Sequence, residues 1–271
     1  MNKFYYIFLI FIALADFGCE NVEVINAGLV YKEYTVVRAE FKANNVFEGV
    51  SITKTLPTNV PYDIKNAELT NVTAYLKING IQVIPLNYSG DGVYNSIYRI
   101  VIHSGNTYEL FADYNGKSIY AKTTVPEKPV ITNANYSDNN YVNAYVKNVP
   151  GVSFGSIWEI SPSPIYGISD HALDFLSVIP SGSDTLSSVL IRTMDIPLQY
   201  GNAYNNNELY VKVYAFDSAY ADYFKTKNNN QPVSNIFAQG GDNIAWNVEG
   251  TDVIGLFIGS CESDDYKVSP Y

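Results

Sequence analysis

Histidine, methionine and cysteine are almost missing from this sequence, with two of each in 271 residues. Each shortage excludes something. His103 and His171 alone are too few for an imidazole-rich metal centre, since a structural zinc site takes four nitrogen or sulfur ligands. Cys19 and Cys261 make one disulfide at most, so no cystine framework holds the fold and the core must do so. Positive charge is scarce as well: 17 Lys and Arg stand against 27 Asp and Glu, a net charge of -10. A chain this acidic is a poor ligand for phosphate backbones, which argues against nucleic acid as a partner. There is no phosphate loop or dinucleotide fingerprint. Nothing after residue 18 is apolar for the roughly 20 residues that a membrane-spanning helix takes.

What is present begins at the first residue. Met1-Asn2-Lys3 gives a short positive start, and Phe4 to Ala15 is an unbroken apolar run. The run is too short to span a bilayer and fits the hydrophobic core of a secretory signal. Asp16-Phe17-Gly18-Cys19 then sets a small residue before a cysteine, as a lipobox does, although Asp16 stands where an apolar residue is usual. The expectation is a signal peptide over 1–18 and a lipidated tether over 19–30, attached to a membrane through Cys19. Removing residues 1–18 takes Lys3 and Asp16 together, so the mature charge stays at -10. With Cys19 acylated, Cys261 has no thiol to pair with.

Beyond the tether the pattern is that of strands. Tyr is abundant (24 residues), and Tyr, Val, Ile and Thr suit a half-buried pleated surface. In Thr35 to Lys42, Val37, Ala39 and Phe41 point one way and Arg38, Glu40 and Lys42 the other. Val72, Ala74, Leu76 and Ile78 share a face, and Asn79-Gly80 reads as a two-residue hairpin turn before Ile81 to Leu86 returns. Asn115-Gly116 repeats the device between Thr107–Tyr114 and Ser118–Val125. Val125-Pro126-Glu127-Lys128-Pro129 cannot extend a central strand, which places a domain boundary near 126–130. Further strands are expected at Ile97–Ile102, Tyr141–Val146, Ser156–Ile160, Leu186–Met194, Leu209–Phe216 and Ile254–Gly259. One helix is expected from an Asp217-Ser218 cap through Tyr220, Tyr223 and Phe224. Short strands with turn signals and few helices imply an all-β chain. The expected architecture is two β-sandwich domains of immunoglobulin or fibronectin type, 31–126 and 127–271, with one short helix in the second.

Four features in order resemble the Bacteroidota lipoprotein family known as domain of unknown function 4249. They are Cys19-Glu20; Ser51-Ile52-Thr53-Lys54-Thr55 followed by Ala67 to Leu76; Tyr108-Glu109-Leu110, Gly116 and Tyr120-Ala121 closing on Thr124-Val125-Pro126; and Tyr223-Phe224, Pro232, Ser234-Asn235-Ile236 and Gly255-Leu256-Phe257-Ile258-Gly259. This chain departs by interposing Gln239 to Gly250 before the last of these. The resemblance implies an outer-membrane lipoprotein with sandwich domains, an accessory of a TonB-dependent transporter and not an enzyme.

A search for chemistry finds patterns with plainer explanations. Gly151-Val152-Ser153-Phe154-Gly155 matches the nucleophile elbow of serine hydrolases, but that elbow is a strand-to-helix turn and Ser156 to Ile160 reads as strand. A glycine-containing β turn is the preferred reading. His103 is expected as an exposed strand-end residue. Asp170-His171-Ala172-Leu173-Asp174 is expected to open a helical turn. Glu262, Asp264 and Asp265 lack the ligand alternation and glycine of a calcium loop and read as a solvated turn. Trp158 and Trp246, if exposed, would favour a glycan- or matrix-binding protein, the alternative to the transporter accessory; a serine hydrolase stands third. Asp184-Thr185-Leu186 and Asp217-Ser218-Ala219 resemble O-glycosylation triplets of Bacteroidota exported proteins. No catalytic, cofactor-binding or metal residue is assigned, and Cys19 is the single modified position expected to matter.

Overall fold

The computed structural model describes residues 31–137, 140–161, 175–182, 187–196, 208–227 and 244–268. Two compact units divide the chain, Met1–Lys32 and Glu33–Tyr271, and the strands and helices below lie in the second. The tether and Cys19 fall outside the described residues. The described residues are all β: strand makes up 55% of them and helix 7%, so packing is between sheets.

The elements of the first half are β1 (Thr35–Lys42), β2 (Val50–Lys54), α1 (Ile64–Ala67), β3 (Thr73–Ile78), β4 (Gln82–Gly90), β5 (Val93–Asn95), β6 (Thr107–Tyr114) and β7 (Lys117–Thr124). The second half contributes β8 (Ile131–Ser137), β9 (Tyr141–Lys147), β10 (Val152–Ser161), β11 (Ile179–Pro180), β12 (Ser188–Arg192) and β13 (Glu208–Asp217). Then come α2 (Ser218–Lys227), β14 (Val248–Gly250), β15 (Val253–Glu262) and β16 (Tyr266–Lys267). One curled sheet runs β11-β10-β13-β15-β1-β2-β5-β4-β3-β6-β7-β14, with β16 on β13, and a small sheet runs β12-β9-β8.

Period-2 alternation builds the first core. Val37 and Phe41 of β1, Ile52 of β2, Leu76 of β3, Tyr108 and Leu110 of β6 and Phe257 of β15 are buried in it. It lies within the curl of the large sheet, between the run β15-β1-β2-β5 and the run β4-β3-β6-β7-β14. The second core fills the space between the small sheet and the pair β10 and β13: Val142, Ala144 and Ile191 from one side, Phe154, Trp158, Val211 and Val213 from the other. The opposite face of β13 and β15 carries Tyr214, Phe216 and Ile258, which pack under Ala221 and Phe224 of α2.

Several expectations change. At Asn115-Gly116 the turn has two residues, because Tyr114 pairs with Lys117 and both turn residues have positive φ. At Asn79-Gly80 it has three, because Ile78 pairs with Gln82; the extra residue, Ile81, is thrown into solvent at 86% exposure. Ile97–Ile102 is not a strand. It makes the isolated bridge Val46↔Val101 and crosses to residues 44–47, with Phe47 N–H donating to Ile100 O and Ile102 N–H to Asn45 O. The short helix α1, capped by Asp63 Oδ1 accepting from Lys65 N–H, was not expected. The two cores fall on either side of Pro126–Pro129 for most of their residues, but hydrogen bonding crosses that stretch. β15 pairs in parallel with β1 along eight residues from Thr35↔Val253, and antiparallel with β13 at Ala215↔Cys261. β14 pairs with β7. The proline stretch stops a strand locally without ending the sheet, because a later strand returns to the first.

Candidate functional site

A concave site sits where the two cores meet. A cleft of about 400 Å³ opens between Lys122, Thr123 and Pro126 at the end of β7, the Pro150-Gly151 turn before β10, and the start of α2. Asp217 lies in it. This residue closes β13 and precedes the first helical turn, so its carboxylate stands at the positive end of the α2 dipole. Its Oδ2 accepts from the Thr123 hydroxyl of β7 and from Gly259 N–H of β15 at 3.4 Å. Its carbonyl accepts from the Ser153 hydroxyl at 3.0 Å. One residue thereby ties strands of both cores to the helix.

Burial dominates the electrostatics of Asp217. Desolvation pushes its carboxyl above the ordinary aspartate value, although the Thr123 hydroxyl and the amides of Gly259, Tyr220 and Ala219 favour the charged form. Oδ1 is buried and no donor reaches it in hydrogen-bonding geometry. The amides at the helix start therefore act on it through their dipoles. Around it stand the exposed Lys122 and Ser218. The cleft thus presents a cation and a hydroxyl, with the Asp217 carboxyl turned inward beneath them.

The residues singled out from sequence are spread apart. Ser153 is fully buried near the start of β10, with strand continuing after it to Ser161, and its hydroxyl donates to main chain, so no nucleophile elbow forms. His103 is exposed, as expected, and its N–H donates to Tyr108 Oη. His171, with Asp170 and Asp174, and the triplet at Asp184 lie outside the described residues. Glu262, Asp264 and Asp265 do not converge; they pair with Lys42, Lys128 and Lys212. Among the described residues no three His, Cys, Asp or Glu side chains group as a metal would need. Cys261 is buried in the first core, and desolvation raises its thiol pKa. In the triplet at Asp217, Ser218 is exposed while the Asp217 carboxylate is turned inward.

Aromatic exposure also differs from what glycan binding would need. Trp158 is in the second core, and Trp246 is half-buried against Tyr223, ring centroids 5.5 Å apart. On the outer face of the first sandwich Tyr75, Phe111 and Tyr120 form a cross-strand row. Tyr75 and Phe111 are parallel at 5.0 Å, too close for rings lying side by side, so they cover each other's faces. From the sequence, Asp217 is a helix cap and the first residue of an Asp-Ser-Ala triplet. The partners that bury it, Thr123 and Gly259, lie 94 and 42 residues away, so no local signal announces them.

No family model matches this chain, and a search of curated proteins finds no match.

Proposed function

We propose that this protein is exported and held on the outer membrane by a lipid on Cys19, where it works by binding, as an accessory of a TonB-dependent transporter. The observation that carries the reading is the N-terminal sequence: a positive start, an apolar run and a small residue before Cys19. The resemblance to the lipoprotein family supplies the transporter. The bonded hydroxyl of Ser153 favours binding over ester hydrolysis, and the buried Trp158 favours the transporter over a glycan. A lipid tether confines the domain to a surface and raises its effective concentration beside an embedded partner, so a modest interface suffices.

Crosslinking in native membranes, followed by mass spectrometry of what is captured, tests this. Recovery of a TonB-dependent transporter with the wild-type protein, and its loss with Cys19→Ala, is the expected result. A Cys19→Ala protein that stays in the membrane fraction and still labels with a palmitate analogue would sink the anchoring step. Turnover of an ester or glycoside by the purified protein would sink the binding role.

A further inference from the structure

We infer that the loop over residues 56–62 seats in the headgroup region of the bilayer that carries the Cys19 lipid, so that the protein stands with this end down. The inference rests on the proposed lipidation of Cys19. It starts from where the chain joins the second unit. Tyr34 and Thr55 are clipped together, Thr55 N–H donating to Tyr34 O at 2.9 Å and Tyr34 N–H to Thr55 Oγ1 at 3.0 Å. The loop therefore projects from the end of the sandwich at which the tether joins. About 14 residues separate Cys19 from Glu33, a reach of at most about 50 Å.

The loop is built to present apolar groups. Val60 N–H donates to Pro57 O, closing a turn between two prolines, and the chain is then fixed by the Asp63 cap of α1. Tyr62 is 75% exposed, Val60 is 38% exposed and Pro61 is exposed. A tyrosine, with an apolar ring and a polar tip, is the side chain that settles at the bilayer interface. Three lysines at this end sit beside acids. Lys54 faces Glu33, Lys65 faces Asp91 and Lys117 faces Asp252, at 3.4, 2.6 and 3.1 Å. The opposite end has its own exposed side chains, Ile81, Ile97 and Tyr98. Bringing that end down requires the tether to double back along the sandwich; bringing the loop down requires no reversal. A diacylated cysteine with a second, shallow apolar contact makes a firm attachment.

The test uses full-length protein purified with its lipid. Tyr62→Cys and, separately, Ile81→Cys are labelled with an environment-sensitive fluorophore, Cys261 being buried. Each is placed on vesicles of phosphatidylethanolamine and phosphatidylglycerol containing brominated lipid. The fluorophore at position 62 is expected to shift to the blue and to be quenched about threefold more strongly than that at 81. Vesicle-bound protein whose position 62 is unquenched, or less quenched than 81, overturns the inference while leaving the anchor standing. Quenching absent on vesicles together with a blue shift in native membranes assigns the loop to a protein partner and overturns it equally. Protein that carries no diacylglyceryl mass on Cys19 and does not sediment with vesicles removes the anchor and this inference together.

Discussion

The two cores are held by different means. The first is aromatic: Phe41 packs against Phe47, Tyr108 and Phe257 at 5.3, 4.7 and 4.7 Å. Its two fully enclosed tyrosines are tied by their hydroxyls, Tyr94 donating to Leu69 O and Tyr108 accepting from His103 N–H. The second is mostly aliphatic, with small Ala134 and Ala144 facing Val211 and Val213 across a three-stranded sheet. Large rings enclosed by long hairpins give a core in which each side chain touches several strands. Short aliphatics under a small sheet spread the same task over more residues. Removal of one side chain should therefore hurt the first core more.

The joint between them is the place to break the comparison. A Cβ on Gly255 would lie 2.0 Å from Val37 O, against the backbone of the neighbouring strand, which cannot yield as a side chain tip does. Gly255→Ala is expected to cost more than about 4 kcal/mol and to unfold both halves together in denaturant titration. Two separate transitions would show that the cores do not depend on their shared strand. Within the cores, Phe41→Ala should cost about 4 kcal/mol and Ile191→Ala about 3 kcal/mol, measured by the same titration. Equal or reversed losses would contradict the contrast drawn here.

A finer probe is Tyr94→Phe. It removes the donor to Leu69 O and the acceptor for Val72 N–H, so about 2 kcal/mol should be lost with the ring left in place. The pH response of the joint is smaller. Burial raises the Asp217 pKa in the fold, so its contribution to stability is fully present below the ordinary aspartate pKa and is lost as pH rises through the raised value. Asp217→Asn cannot ionise, so the Tm of the wild type relative to this variant should fall as pH rises above about 4, the ordinary aspartate value. A difference independent of pH would show that the carboxyl titrates normally. Smallest of all is Lys117→Ala: its pair with Asp252 is surface-exposed, and about 0.5 kcal/mol or less is expected.

These outcomes bear on how much of the fold could be read before the structure. Alternation placed Val37 and Phe41, and Ala74, Leu76 and Ile78, in cores, because burial on one face of a strand leaves a mark every second residue. Asn115-Gly116 declared its turn because positive φ is tolerated by few residues. Asp217-Ser218 declared the start of α2. What could not be read is partnership. Nothing in Val253–Glu262 says that it lies beside Thr35–Lys42, since a parallel pairing carries no turn between its strands. The candidate cleft was illegible for the same reason: Thr123, Gly151 and Asp217 meet only because those distant strands do.

The parallel pair β1 and β15 also fixes an order of events. The Ser260 hydroxyl reaches the Glu40 carboxylate from 220 residues further along the chain. The strand that begins the sheet must wait, with one edge open, for a strand that follows about 220 residues later. Contacts of such long sequence separation close slowly and leave strand edges exposed in the interim. A chain with this topology cannot close its large sheet until β15 has been made.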